Sequence, residues 1–178
     1  MKKTILSVAV VLLCQFAHPQ QAAPAVNLNS LGFLLGKWVG EGKDAGMPGS
    51  GYCSFEAALQ AKVIVRQNHA EYPATANHPA VVHDDLMIIY PDSADHQVRA
   101  FYTDSEGHVI RYTVAAASDG GSAVFLGDAE AGAPRYRLTY TVTQTEYISL
   151  TFEIAPPGHP DQFHKYIEAK LRKSGKSG

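Results

Sequence analysis

The chain has 178 residues, enough for one domain once a leader is set aside, with 15 Lys+Arg against 17 Asp+Glu and a formal net charge of −2. The cations are scattered and form no stripe, which excludes nucleic acid as the expected partner. Neither a Gly-rich phosphate loop nor a Ser/His/Asp or Cys/His arrangement with a recognisable motif is present, so the sequence offers no defensible catalytic set.

The first 25 residues read as a secretory signal. Lys2 and Lys3 form a basic start, Ile5–Leu13 is an apolar run too short to span a bilayer, and Ala23-Pro24-Ala25 is a small-x-small cleavage pattern. Cleavage is expected near Ala25, leaving a periplasmic or secreted chain from Val26 with no transmembrane segment. Acylation of Cys14 as a lipoprotein is disfavoured, because Leu13 stands where that processing needs a small residue. Without Lys2 and Lys3 the charge balance is 13 against 17. Cys53 is then the sole cysteine, which excludes an intrachain disulfide and reads as a small buried hydrophobe.

Asn29-Ser30 can cap a short helical turn over Leu31–Leu35, the one helical candidate. Beyond it, period-two alternation punctuated by Gly, Pro, Asp and Asn predicts about ten strands. They are Lys37–Lys43, Tyr52–Ala58, Lys62–Tyr72, Leu86–Tyr90, Gln97–Tyr102, His108–Ala116, Ser122–Leu126, Tyr136–Thr143, Tyr147–Ile154 and Phe163–Leu171. A loop is expected over Pro73–His83 and a disordered tail over Lys173–Gly178. Ten strands with short connections suffice to close a barrel and remove exposed edges, so the expected fold is all-β, a closed antiparallel β-barrel in domain 26–172. An open two-sheet sandwich is the alternative.

Two strands show the alternation clearly. Tyr136, Leu138, Tyr140 and Val142 share one face, as do Ile148, Leu150, Phe152 and Ile154, while Arg137, Thr139, Thr141, Ser149, Thr151 and Glu153 lie opposite. Periodicity alone leaves open which face looks inward.

The segment Leu34-Leu35-Gly36-Lys37-Trp38-Val39-Gly40-Glu41-Gly42 resembles the Gly-x-Trp opening of lipocalins, and more closely that of nitrobindin-like barrels and their exported bacterial relatives. The resemblance implies a lipocalin-like (calycin) fold whose floor is sealed by Trp38 beside Gly36, with Arg172 of the last strand stacked on the indole. It also implies a haem cofactor held by a histidine near the end of that strand. Here Tyr166 stands at that position and His164 precedes it, so the family pattern is broken where the axial ligand belongs.

Three functions remain as expectations. The first is an exported barrel that takes a small hydrophobic or amphipathic molecule into its cavity, with Arg66, Arg137, Tyr140 and Tyr166 as candidate orienting groups. The second is a haem-dependent redox protein using Tyr166 or His164. The third is an envelope scaffold or interaction domain without ligand. His78, His83, Asp84 and Asp85 are the densest potential metal ligands, but their spacing fits no recognised motif, and Asp before a strand commonly bonds nearby backbone.

Overall fold

A computed structural model describes residues 27–41 and 50–175. The expected leader, with Cys14, lies outside the described residues, as do the last two residues of the first expected strand (42–43) and the last three residues of the expected tail.

The alternating segments form ten antiparallel strands: β1 (Gly36–Glu41), β2 (Ser50–Ala58), β3 (Val63–Tyr72), β4 (Val81–Asp92), β5 (Gln97–Asp104), β6 (Val109–Ala116), β7 (Ser122–Gly127), β8 (Arg135–Gln144), β9 (Tyr147–Ala155) and β10 (His164–Lys173). Each pairs with its neighbours in the chain, and β1 pairs with β10, so the sheet is a closed barrel rather than a sandwich. Among the described residues no helix is long and apolar enough to cross a membrane.

Because every pairing is antiparallel, connections alternate between the two ends. The turns at 59–62, 93–96, 117–121 and 145–146 mark one end, and the longer loops at 73–80, 105–108, 128–134 and 156–163 mark the other. The first is the floor. A 3-10 helix, Asn29–Leu34, lies across it and buries Leu31 and Leu34. Trp38, 3% exposed, donates its indole N–H to the Leu34 carbonyl at 2.7 Å and so ties the plug to β1. Gly36 begins β1 at φ +118°, where a Cβ would be strained and would meet Lys173 Cε at 3.0 Å.

The cation at this floor is not the one the family resemblance implies. Leu171 points into the core, so strand alternation turns Arg172 outward, opposite Val39, and brings Lys173 into register with Trp38. It is the Lys173 ammonium that lies 5.3 Å from the indole centroid. Lys173 therefore belongs to β10 rather than to a tail, and the Ser174 amide still bonds the Lys37 carbonyl at 2.7 Å.

The greasy faces look inward. Phe55, Met87, Ile89, Tyr112, Phe125, Leu138, Tyr140 and Ile148 are buried on the inner wall. Their rings form an edge-to-face chain: Phe55–Tyr140 at 5.5 Å, Tyr140–Phe125 at 6.0 Å, Phe125–Tyr112 at 6.2 Å and Tyr112–Tyr102 at 6.5 Å. These separations are the preferred ones for aromatic quadrupoles, and each pair adds about 0.5–1.5 kcal/mol beyond its buried area. At this level the barrel is packed.

One element is longer than its sequence suggests. β4 starts at Val81, not Leu86, and takes in His83, Asp84 and Asp85. Charged residues hid the strand because here they are cross-strand partners: His69 faces Asp84, and Asn68 faces Asp85.

Candidate functional site

Among the described residues, the aromatic interior holds one charged pair. Arg66, from β3, is 4% exposed and donates through Nη1 to Asp85 Oδ1 of β4. Both residues take the inward positions of their strands. An ion pair this deep survives only when each charge is matched and the remaining polar atoms are bonded.

On the acid side the matching is thorough. His83 Nε2 lies 3.4 Å from Asp85 Oδ2, and Asn68 also bonds the carboxyl. Burial pushes the Asp85 carboxyl up, and the Arg66 charge, then His83, oppose that rise. On the basic side the guanidinium bonds the Tyr140 hydroxyl and the Cys53 thiol, both enclosed with it. Tyr140 is fully enclosed, and its phenol, like the Cys53 thiol, acts electrostatically on the guanidinium. Burial raises both the Tyr140 phenol and the Cys53 thiol, so each stays neutral and protonated at ordinary pH.

From this centre a polar network climbs toward the end that carries the longer loops. The Tyr102 hydroxyl sits 3.4 Å from His83 Nε2 and donates to Asp104 Oδ2 at 3.1 Å. Asp104, whose side chain is 3% exposed, also accepts from the Glu106 and His108 amides and contacts His108 Nδ1 at 2.8 Å. His83 Nδ1 reaches Glu106 Oε1 at 3.0 Å. Ligand atoms of His83, Asp104 and Glu106 thus lie within 4.8 Å of one another. The sequence grouped His83 with His78, Asp84 and Asp85. The fold splits that group, because Asp84 points outward to His69 at 2.7 Å and His78 sits in the 73–80 loop.

Burial alone would raise the Asp104 carboxyl, but hydrogen bonds from His108 and Tyr102 outweigh it and hold the group below its usual 3.8. A carboxyl depressed by folding contributes stability above its unfolded pKa and loses it as pH falls through the folded value. Asp104→Asn should therefore flatten the loss of stability below about pH 4, read as urea midpoints over an acid series. An unchanged acid slope would show that the network does not bias Asp104.

Two of the four candidate orienting groups, Arg66 and Tyr140, meet in the interior. Arg137 does not, because Leu138 and Tyr140 take the inward positions of β8. It lies outside, forked onto Glu153 at 2.6 and 2.8 Å and resting 4.1 Å over the Phe163 ring. Tyr166 is displaced by a bulge: the β10 register passes from Lys165 opposite Glu153 to Ile167 opposite Phe152, leaving Tyr166 unpaired and 65% exposed. Its ring meets the edge of Phe152 at 6.3 Å, which places it at the rim.

The same bulge bears on haem. The inward residues of β10 are Ile167, Ala169 and Leu171, none able to ligate iron, while His164 and Tyr166 are exposed. With the ring chain filling the barrel's middle, the residues present do not fit a haem group inside it.

Reasoning from sequence did not find Asp85, Asp104, Tyr102 or Cys53 as members of one cluster. The signal existed only in cross-strand register, which sets Asn68, Asp85 and Asp104 in one inward row. On the outer wall, a depression of about 390 Å³ is lined by Tyr52, Gln67, His69, Asp84, Leu86 and Thr103, among others. There His69 is held between Asp84 and Glu71, whose hydrogen bonds raise its pKa.

Comparison with protein-family models and with curated proteins finds no match to this chain. The site therefore has to be read from its own chemistry.

Proposed function

We propose that the chain is an exported, lipocalin-like barrel that binds a small amphipathic molecule at the end that carries its longer loops. In this reading the apolar body lies among Tyr102, Tyr136, Phe152 and Ile110, and the polar head meets the network of His83, Asp104 and Glu106 that the Tyr102 hydroxyl joins. The first four pack against the core yet remain partly exposed, and Tyr136 stacks on Phe152 at 5.8 Å and 7°. A concave, mainly apolar wall with a few converging polar groups is the usual form of a small-molecule site. The observation that carries the reading is that these partly exposed apolar side chains border a polar network, where the Tyr102 hydroxyl meets Asp104 Oδ2 at 3.1 Å and His83 Nε2 at 3.4 Å. The signal-like first 25 residues supply the exported half of the proposal.

The test is native mass spectrometry of the chain expressed with its own leader. The expected mass begins near Val26 and carries one bound organic molecule, which Tyr102→Phe depletes. A bare chain that also fails to take up any of a panel of amphipathic probes overturns the binding reading. A mass that retains Met1–Ala25 overturns export.

A further inference from the structure

The fold assembles a set of metal-ligating side chains that the sequence keeps apart. Asp85 of β4 lies opposite Asp104 of β5, and the Ser105 amide bonds the Asp84 carbonyl at 2.8 Å. The ladder thus runs on one step past β5 and sets Glu106 across from His83. His83 Nδ1 and Glu106 Oε1 are 3.0 Å apart, and one ligand atom from each of His83, Asp104 and Glu106 lies within 4.8 Å of the others. Two ligands held about 2.0–2.2 Å from one tetrahedral ion stand about 3.4 Å apart, so modest side-chain rotations turn this arrangement into a coordination shell.

The surroundings favour an ion over a plain hydrogen-bonded cluster. A histidine that ligates a metal ordinarily turns its other ring nitrogen to a carboxylate, which fixes the ring. His83 Nε2 lies 3.4 Å from Oδ2 of the buried Asp85, which Arg66 anchors in turn. Asp104 is buried as well, and is aimed by the Glu106 and His108 amides and the Tyr102 hydroxyl. Charge points the same way. Among the described residues neither Asp104 nor Glu106 is ion-paired with Lys or Arg, and their partners are His83 and His108. Two carboxylates thus converge where the buried guanidinium of Arg66 is already committed to Asp85.

We propose that His83 Nδ1 and the carboxylates of Asp104 and Glu106 bind one divalent first-row transition ion, of which zinc is the type. An imidazole among the ligands selects against calcium and magnesium, which prefer shells built from oxygen. Three protein ligands leave the remaining position of a four-coordinate ion to water or an incoming donor atom. His108, with Nδ1 2.8 Å from Asp104 Oδ2, braces that carboxylate. The ion is held whether or not an amphipathic molecule binds, so the site goes beyond the binding reading above and does not rest on it.

The exported protein, expressed full length with its own leader and stripped with a chelator, is titrated at neutral pH with Zn2+ by calorimetry and with Co2+ by visible absorption. One ion per chain is expected, with Co2+ giving the intensified d–d bands of a four-coordinate site. Glu106→Gln alters a half-exposed turn residue, so the fold is spared, and it should weaken Zn2+ at least about tenfold. His83→Gln should do the same. His69→Gln, which disturbs the separate histidine–carboxylate group on the outer wall, should leave the titration unchanged. Uptake that survives both Glu106→Gln and His83→Gln, or that His69→Gln removes, overturns the site. Calcium or magnesium binding as tightly as Zn2+ overturns the choice of ion, and no saturable uptake of any of them overturns the proposal outright. Since no organic molecule is present, none of these outcomes bears on the amphipathic ligand.

Discussion

Arg66→Leu should lower the unfolding free energy by about 3–5 kcal/mol, because it strands the Asp85 carboxylate among aromatic rings. The double variant Arg66→Leu/Asp85→Leu should regain most of that loss. Its two side chains are apolar and of suitable bulk, and the buried pair they replace pays a heavy desolvation cost for its mutual attraction. Urea unfolding of both single variants and the double at neutral pH measures the coupling; additive losses would show that the two charges do not depend on each other. The deficit of the single variant should also shrink in acid. Burial raises the Asp85 carboxyl, and without Arg66 it rises further, so the folded state holds a proton that the unfolded state releases near 3.8. Stability then falls as pH climbs from there through the raised value, and least is lost below it.

Trp38→Ala should cost a comparable amount, about 3–5 kcal/mol, by opening a cavity at the floor and releasing the 3-10 plug from β1. Two contacts disappear together: the packing against Leu31 and Leu34, and the indole N–H to the Leu34 carbonyl. The cation above the ring contributes far less. Lys173→Met should remove only about 0.5–1 kcal/mol, since the ammonium sits 5.3 Å from the centroid near solvent. Thermal midpoints of the two variants measure the contrast. Equal losses would mean that the floor is held by the ammonium rather than by the indole.

Most of the architecture was legible because strand alternation is a direct record of which side chains must leave water. Ile148, Leu150 and Phe152 spell out their strand without help. The start of β4 was not legible, because His83-Asp84-Asp85 resembles a solvated turn until its partners on β3 and β5 are known. Arg66 and Tyr140 stood out as polar groups on strands, and both lie inside the barrel. Arg137 looked equivalent, and only the inward turn of Leu138 and Tyr140 sends it outside. The shifts at β10 are of one residue each. The bulge at Tyr166 is invisible to a period-two reading, and Lys173 replaces Arg172 over the indole because side chains on a strand reverse at every step. The polar cluster itself depends on cross-strand register, which hydrophobic pattern alone does not encode.

The seam between β1 and β10 governs how this molecule is assembled. It joins Trp38 to Lys173 and Glu41 to Lys170, partners separated by almost the whole folded chain. Local hairpins can zip one after another from β2 onward, but the ring stays open until its final strand arrives. Until then two bare margins, each a row of unmatched peptide groups, face whatever other chains are nearby. The last ten residues of sheet thus act as the latch, and any delay in their arrival prolongs the interval in which this chain is most prone to pair with a neighbour.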